Sequence, residues 1–258
     1  MLRFSANLSL LFTELPLAER FQAARQQGFK AVEIQFPYTL PASQIRDLLD
    51  QQDLQLVLFN VAADTLLQGG EGLAAVPEKR DQFKAAVAQT LAYAELLRPD
   101  AINVLPGRCL DVSRIKQYRA TLRDNLRHAG EVFASLGIST VFEAVNSYDM
   151  PGFIIDSSRQ MLDVLMEVDH PGLRLQYDIY HMSRMGEDCA EFLRRHLDKI
   201  GHIQFADCPG RGQPGSGAID FESLFEIIAA PNYQGWVGAE YRPTGTTEAS
   251  LGWLKKGV

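Results

Sequence analysis

Residues 172–181 read GLRLQYDIYH, a short run of β-forming side chains that reaches an acidic residue, Asp178. Three further runs of this kind lie in the second half of the chain: ISTVFEAV at 138–145, KIGHIQFAD at 199–207 and GWVGAEY at 235–241. These carry Glu143, Gln204 and Glu240, so the four polar residues follow one another at intervals of 35, 26 and 36 positions. Each interval is about the length of one strand-plus-helix repeat, which predicts that all four meet at one end of a parallel barrel.

The rest of the chain repeats the same alternation of strand-like and helix-like patterns. The predicted strands are residues 3–8, 30–35, 54–60, 100–105, 138–143, 172–178, 200–206 and 234–240. Between them, apolar residues recur at three- and four-residue spacing, as amphipathic helices on a sheet require. The predicted helical segments are residues 17–28, 43–52, 78–97, 114–137, 157–168, 190–197, 221–228 and 247–256. No linker interrupts the pattern, so residues 1–258 are predicted to form a single α/β domain, a (β/α)8 TIM barrel. A doubly wound open sheet is the main alternative, but the first predicted strand lacks the glycine-rich phosphate turn typical of it.

Composition and charge limit the kinds of partner. The 258 residues are 46% hydrophobic and 22% charged, which suits a large buried core. The net charge is −7 without a basic cluster, so we expect no nucleic-acid partner. No apolar run approaches the roughly 18 residues that a membrane span needs, so no membrane partner is expected.

Cysteine use and the first residues indicate the compartment. Cys109, Cys189 and Cys208 are odd in number and far apart, which does not suit a disulfide framework. The opening MLRFSANLSLLF has neither the long apolar stretch nor the cleavage site of a secretory signal. We therefore expect a cytoplasmic protein. The sequence leaves its oligomeric state open, a homo-oligomer included.

The four strand-end residues offer oxygen atoms only. Hard oxygen ligands favour Mg²⁺ or Mn²⁺ over zinc, so Glu143, Asp178, Gln204 and Glu240 are predicted metal ligands. Three carboxylates in a partly dry barrel mouth would also repel one another, and a divalent cation would relieve that repulsion. The alternative is four unrelated, solvated strand-end residues.

Three further residues are candidates for binding a substrate. His181 follows Asp178 by three positions and is expected near the metal, within reach of a substrate oxygen. His202 shares a strand face with Gln204 and is expected one layer deeper. Arg211 has the planar guanidinium that suits a carboxylate. Each histidine is also explained as a core or rim residue, and Arg211 as a solvated loop residue.

Long loops follow three of the predicted strands, at about residues 61–77, 144–155 and 207–218. Loops in these positions lie at the mouth of a barrel and carry its function. The last is rich in glycine and proline and is predicted to cover the substrate with little structure of its own.

Six ordered segments resemble the hydroxypyruvate isomerase family of the xylose isomerase-like barrels, almost from end to end. They are MLRFSANLSLLF at 1–12, FPY at 36–38, NSYDMPGF at 146–153, QYDIYHMSRM at 176–185, KIGHIQFAD at 199–207 and GWVGAEYRP at 235–243. The resemblance implies a divalent metal, Mg²⁺ or Mn²⁺, held by Glu143, Asp178, Gln204 and Glu240. It also implies that the two glutamates donate and accept the proton.

The activity implied by the resemblance is the interconversion of hydroxypyruvate and 2-hydroxy-3-oxopropanoate (tartronate semialdehyde), with a small 2-oxo acid as substrate and no redox cofactor. The late loop departs from the family, which usually has glutamates where Gln213 and Ala218 stand, and residues 76–83 lack a common Gly-Arg pair. These departures bear on loop closure and substrate preference rather than on the metal ligands.

Several other functions remain open from sequence. A 2-oxo-tetronate isomerase and, less well supported, a ketose 3-epimerase would use the same site. A phosphodiesterase of the endonuclease IV type needs several histidine ligands and a basic surface, and fits poorly. A barrel that binds a sugar acid without turning it over is disfavoured by the intact pair Glu143 and Glu240.

Overall fold

Eight parallel strands close into a barrel in the computed structural model of the chain, which describes residues 2–229 and 233–256. The strands are β1 (Phe4–Asn7), β2 (Ala31–Ile34), β3 (Gln55–Asn60), β4 (Ala101–Asn103), β5 (Ser139–Glu143), β6 (Leu173–Asp178), β7 (Ile200–Phe205) and β8 (Val237–Ala239). They pair in chain order, and β8 returns to pair with β1, with Phe4 opposite Val237. The predicted (β/α)8 barrel is confirmed, and every predicted strand is present.

Helices cover the outside of the barrel. They are α1 (Leu17–Gln26), α2 (Ala42–Gln52), α3 (Arg80–Leu97), α4 (Ile115–Ala134), α5 (Ser158–Val168), α6 (Ile179–Arg184), α7 (Cys189–His196), α8 (Phe221–Ile228) and α9 (Thr247–Ser250). Within the described ranges, no helix combines the length and the apolar character needed to cross a membrane.

Among the α-helices of the described residues, the short helix α6 is the one that the sequence patterns did not predict. It begins immediately after β6 because the Asp178 carboxylate accepts hydrogen bonds from the backbone N–H groups of Tyr180 (2.8 Å) and His181 (3.3 Å). This is N-capping, which satisfies the free N–H groups of a first helical turn. The cap turns the chain at once, so that His181 folds back toward Asp178.

An aromatic cluster fixes one side of the barrel to its helical shell. Trp253 meets Phe4 of β1 with ring centroids 5.1 Å apart, and Phe205 of β7 meets Phe225 of α8 at 5.4 Å. Edge-to-face pairs of this kind contribute about 0.5–1.5 kcal/mol each beyond the area they bury. The cluster holds β7 and the start of β1 in place, and β7 carries part of the candidate site.

Candidate active site

The carboxyl ends of the strands surround a cavity of about 540 Å³. Its wall includes Asn60, Glu143, Gln176, His181, Arg211 and Glu240. The structure brings the four predicted strand-end residues to this end of the barrel: Glu143 ends β5, Asp178 ends β6, Gln204 lies in β7 and Glu240 follows β8 directly. All four are buried.

A chain of amide hydrogen bonds joins three of these residues. Gln176 Nε2 donates to Glu143 Oε1 (3.0 Å) and to Gln204 Oε1 (2.7 Å). Gln204 Nε2 donates in turn to Glu240 Oε1 (3.3 Å). Gln176 precedes Asp178 by two positions and therefore shares its strand face, so this two-residue spacing also places Gln176 in the barrel interior.

The guanidinium of Arg211 lies among the carboxylates. Its Nη2 is 2.6 Å from Glu240 Oε2 and 4.0 Å from Asp178 Oδ2. The same group stacks over the ring of Tyr180, 5.2 Å from the ring centroid. One fixed positive charge thus stands opposite several buried acids, and it reaches them from the loop that follows β7.

Burial and mutual repulsion raise the pKa values of these acids. Burial, together with the charges of Glu240 and Asp178, raises the pKa of Glu143 well above its usual range. Burial also raises the pKa of Glu240, to about 7, although the charge of Arg211 opposes the rise. The pKa of Asp178 is raised by burial too. Carboxyl groups poised near neutrality are suited to accept and donate protons.

His181 is held as a neutral ring. Its Nδ1 faces two donors of Asn146, the side-chain Nδ2 (2.7 Å) and the backbone N–H (3.4 Å), so Nδ1 is the unprotonated nitrogen. Burial, and then the charge of Arg211, lower the pKa of His181 well below its ordinary value. The other ring nitrogen, Nε2, lies 3.5 Å from Asp178 Oδ2.

Glu143, Asp178 and His181 form a buried group that fits a divalent metal ion. One ligand atom from each lies within 4.8 Å of the others, and all three residues are buried. Carboxylate oxygens are donors that Mg²⁺, Mn²⁺ and several other divalent ions accept, whereas the Nδ1 lone pair of His181 already accepts from Asn146. The raised pKa values agree with this fit, because they reflect burial of both carboxylates and, for Glu143, the added charges of Glu240 and Asp178. His181 thus enters a group that sequence reasoning built from oxygen ligands alone.

The second predicted histidine lies in the layer beneath the cavity. His202 Nε2 is 2.8 Å from Glu33 Oε2, and both side chains are almost fully buried. Burial raises the pKa of Glu33. The charge and hydrogen bond of His202, together with hydrogen bonds from Gln204 and Asn7, outweigh this effect, so the pKa lies below its ordinary value. His202 thus lies one layer deeper than Gln204, as expected, where its hydrogen-bond partner is Glu33.

Polar residues that sequence reasoning missed complete the site. Asn7 Nδ2 and Gln35 Nε2 each donate to Glu240 Oε1 at 2.9 Å. Asn103 Nδ2 donates to Glu143 Oε1 at 2.7 Å. Asp149 accepts a hydrogen bond from the Tyr180 hydroxyl at 2.7 Å and lies on the cavity wall. Asn7 and Asp149 lie in segments that carry the family resemblance, but the sequence pattern assigned neither of them to the site.

The loop after β7 is ordered by one carboxylate, contrary to the expectation of little internal structure. Asp207 accepts hydrogen bonds from the backbone N–H groups of Cys208, Gly215, Gly217 and Ile219, at 2.8–3.1 Å. Its own N–H donates to the carbonyl of Gly212. Glycine and proline content alone suggested irregularity, but an acid at the start of the loop supplies the missing backbone partners.

Two residues of this loop depart from the family pattern, and neither touches the acids. The side-chain amide of Gln213 donates to Thr244 Oγ1 (2.6 Å) and accepts from the Thr244 N–H (3.1 Å), which ties the loop to the segment after β8. Ala218 is exposed. The departures leave the arrangement of Arg211 and the carboxylates intact.

Comparison with known proteins gives a consistent result. Residues 21–257 match the family model described as "Xylose isomerase-like TIM barrel". The chain is 41% identical to the hydroxypyruvate isomerase of Escherichia coli over 98% of both chains. It is 38% identical to the 2-oxo-tetronate isomerase of Cupriavidus necator, over 99% of this chain and 98% of that one.

Solved structures agree on the fold. A crystal structure from Brucella melitensis, described as an AP endonuclease of family 2, has 33% identity and a TM-score of 0.96, over 100% of this chain and 99% of that one. An Escherichia coli 3-keto-D-glucoside 4-epimerase has a TM-score of 0.82 at 23% identity, with 99% of each chain covered. Together with the geometry of the mouth, these matches show that the chain belongs to the hydroxypyruvate isomerase family of xylose isomerase-like TIM barrels.

Proposed function

We propose that this protein is a hydroxypyruvate isomerase, which interconverts hydroxypyruvate and 2-hydroxy-3-oxopropanoate. The observation that carries the proposal is the meeting of Glu143, Asp178 and Glu240 with the guanidinium of Arg211 at one cavity. Its relatives at 41% and 38% identity are isomerases of small hydroxy-oxo acids, which supports the same class of substrate here.

Arg211 and His181 are proposed to hold the substrate. The guanidinium can pair with the substrate carboxylate through two parallel hydrogen bonds, a geometry that an arginine provides and a lysine does not. His181 Nε2 faces the acids and can contact a substrate oxygen there. Anchoring both ends of a three-carbon acid would place its two reacting carbons between the carboxyl groups.

Glu143, Asp178, Gln204 and Glu240 are proposed to hold a divalent cation, Mg²⁺ or Mn²⁺. The buried group of Glu143, Asp178 and His181 supports a cation at this place. When bound, such an ion polarises the neighbouring substrate oxygens and stabilises the negative charge that develops on them.

Glu143 and Glu240 are proposed to move the proton. One carboxylate takes a proton from the hydroxymethyl carbon of hydroxypyruvate, which leaves an enediolate, and the other carboxyl returns a proton to the former carbonyl carbon. The hydroxyl proton passes from the hydroxymethyl oxygen, which becomes the aldehyde oxygen, to the former ketone oxygen, which becomes a hydroxyl, so no hydrogen or electron is gained or lost. Without a bound ion, burial raises the pKa of Glu240 to about 7, so the protein environment itself favours a protonated carboxyl here.

Deuterium exchange tests this proposal directly. Hydroxypyruvate incubated with the protein and Mg²⁺ or Mn²⁺ in D₂O should gain deuterium at the hydroxymethyl carbon and yield the aldehyde, as followed by NMR. Chelation of the metal should stop both. No exchange with either metal, in a protein shown to be folded, would overturn the proposal.

A 2-oxo-tetronate isomerase is the second candidate. It is favoured by the 38% identity to such an enzyme and by the cavity of about 540 Å³, which leaves room for a fourth carbon. The ratio of kcat/KM for the three- and four-carbon acids decides between the two activities.

Two other functions have weaker support. Epimerases among the structural neighbours share the fold at 18–23% identity, which supports the architecture alone. The relative described as an AP endonuclease does not make this chain a nuclease, because the net charge is −7 and the cavity wall has one histidine within the described ranges. The three free cysteines agree with the reducing cytoplasm as the place of action.

A further inference from the structure

A one-way series of hydrogen bonds begins below the cavity at Glu33. Both of its oxygens face side-chain donors, Ser5 Oγ (3.0 Å) and His202 Nε2 (2.8 Å) at Oε2 and Asn7 Nδ2 (3.0 Å) at Oε1, so both act as acceptors. Glu33 Oε1 is 2.7 Å from the side-chain amide of Gln204. Gln204 must therefore turn its nitrogen toward Glu33 and its oxygen, Oε1, away from it.

The orientation of Gln204 fixes that of its neighbour. Gln204 Oε1 is an acceptor, so Gln176, 2.7 Å away, must present its nitrogen there. The same Gln176 Nε2 also donates to Glu143 Oε1 at 3.0 Å. Both amide hydrogens of Gln176 are then used, and neither amide can flip without placing two acceptors or two donors face to face.

This leaves one acceptor unused beside the cavity. Gln176 Oε1 is buried and has no hydrogen-bond partner within residues 2–229 and 233–256, although Gln176 lies on the cavity wall. An unsatisfied buried acceptor costs about 1–3 kcal/mol, so a partner supplied by a ligand would be favourable. Arg211 Nε, a donor on the same wall, is also unpartnered in that part of the chain. A ligand with one hydroxyl donor and one anionic acceptor would satisfy both atoms.

We propose that Gln176 is a substrate-binding residue whose Oε1 accepts a hydrogen bond from the C3 hydroxyl of a 3-hydroxy-2-oxo acid. Glu33 and Gln204 act as positioning residues that keep this oxygen available. The inference rests on the proposed function and deepens it, because it assigns the preference for a hydroxylated substrate to one atom. A site built to pair with a hydroxyl rejects the analogue that lacks it more strongly than an apolar pocket does.

Two ligands that cannot be isomerised test the inference. D-Glycerate carries the C3 hydroxyl and D-lactate lacks it, and neither has a carbonyl group to react. With saturating Mg²⁺, calorimetry should give the wild-type protein at least a 10-fold lower Kd for glycerate than for lactate. In Gln176→Met the ratio should fall to about 2-fold, through weaker glycerate binding and unchanged lactate binding.

Asn103 provides the matched control. It also donates to Glu143 Oε1 and also has an unpartnered oxygen, but it is absent from the cavity wall. Asn103→Leu should lower kcat through Glu143 and keep the wild-type preference for glycerate. Loss of that preference in Asn103→Leu, or its retention in a folded Gln176→Met, would overturn the inference.

The wild-type measurement tests the inference even if Gln176→Met does not fold. A glycerate-to-lactate preference below 2-fold in the wild-type protein is enough to reject the inference. If hydroxypyruvate is still isomerised in that case, the proposed function survives and the hydroxyl contact alone fails. If hydroxypyruvate is not turned over and neither acid binds, both fail together.

Discussion

Glu240 is the most heavily engaged acid of the site. It accepts hydrogen bonds from Asn7, Gln35, Gln204 and Arg211. These bonds hold one carboxylate in one place, yet burial still raises its pKa to about 7. The residue is therefore both fixed in position and able to change protonation state near neutral pH.

Replacing this acid by its amide should separate chemistry from structure. We expect Glu240→Gln to lower kcat for hydroxypyruvate by about 10²–10⁴-fold, the range typical of a general acid or base. The melting temperature at pH 8 should stay the same or rise, because a buried negative charge is removed. Steady-state kinetics and calorimetry measure the two effects. Glu222→Gln, on the exposed face of α8, is the control, and full activity in Glu240→Gln would contradict its role.

Arg211 should be sensitive to a substitution that keeps its charge. Arg211→Lys removes the pair of parallel N–H donors that matches a carboxylate, and it also removes the planar group stacked over Tyr180. We expect KM for hydroxypyruvate to rise by about 10-fold or more, with a smaller change in kcat. An unchanged KM would show that the carboxylate binds elsewhere.

At this scale the sequence identified the acids and missed most of their partners. Glu143, Asp178 and Glu240 each stand beside a recognisable β-run, so their common location followed from the repeat. Asn7 is an ordinary polar residue in the sequence, and its role depends on Glu240, which lies 233 positions away. Contacts across the barrel interior depend on strand register, which a single sequence does not reveal.

Among the elements, α6 and the loop after β7 differ most from expectation. Both are organised by a single aspartate that accepts backbone N–H groups, Asp178 for α6 and Asp207 for the loop. Hydrophobic periodicity does not reveal such bonds, because they form between a polar side chain and backbone N–H groups close to it in sequence. Strands and long helices, which periodicity does describe, were predicted closely.

Asp207→Asn should loosen the loop without unfolding the barrel. The amide lacks the charge that strengthens four backbone hydrogen bonds, and it replaces one accepting oxygen by a donor. We expect faster amide hydrogen exchange at residues 208–219 and a several-fold lower kcat/KM, because Arg211 is carried by this loop. Asp220→Asn is the control, since asparagine also caps a helix well and Asp220 caps α8. Unaltered exchange in the loop would show that Asp207 is dispensable.

For the whole molecule, the buried acids couple stability to pH and to metal. Glu240 has a folded-state pKa near 7, above its ordinary value of 4.5, so between these values the folded protein binds more protons than the unfolded chain. The free energy of unfolding without metal should therefore fall as pH rises from about 5 to 8. Glu143 and Asp178, whose pKa values are also raised, add to this fall. His181, whose pKa is lowered, opposes it below about pH 6.5, and Glu33, whose pKa is also lowered, opposes it only at lower pH.

A divalent cation should reverse this trend, because it binds the deprotonated carboxylates. Stabilisation by Mg²⁺ or Mn²⁺ should be larger at pH 8 than at pH 5.5, reaching about 2.7 kcal/mol when the free cation is 100 times its Kd. Differential scanning calorimetry with EDTA or with the metal, at both pH values, measures the effect. Stability in EDTA that increases over this pH range would contradict the assignment.

The barrel as a whole was predictable because it repeats. The chain alternates eight times between strand-like and helix-like hydrophobic periodicity. Few folds accommodate such a sequence, and the closed (β/α)8 barrel is one of them. The sequence did not indicate that Gly238 must remain without a side chain. A Cβ there would approach Glu33 Oε2 to 2.3 Å, so the interior of the barrel requires a glycine where strand propensity alone would favour a larger residue.

The self-contained loop at 207–219 also has a consequence for protein engineering. Asp207 orders the loop internally through backbone hydrogen bonds. The loop's contacts with the rest of the barrel include the Arg211 side chain with Glu240 and Tyr180, the Arg211 carbonyl with the Arg242 N–H, and Gln213 with Thr244. We expect that this loop can be exchanged between related barrels as a unit, provided that the residue at position 244, which pairs with Gln213, is exchanged with it. Substrate preference should then be transferable by exchanging a short stretch of chain, while the metal-binding acids stay where the strands place them.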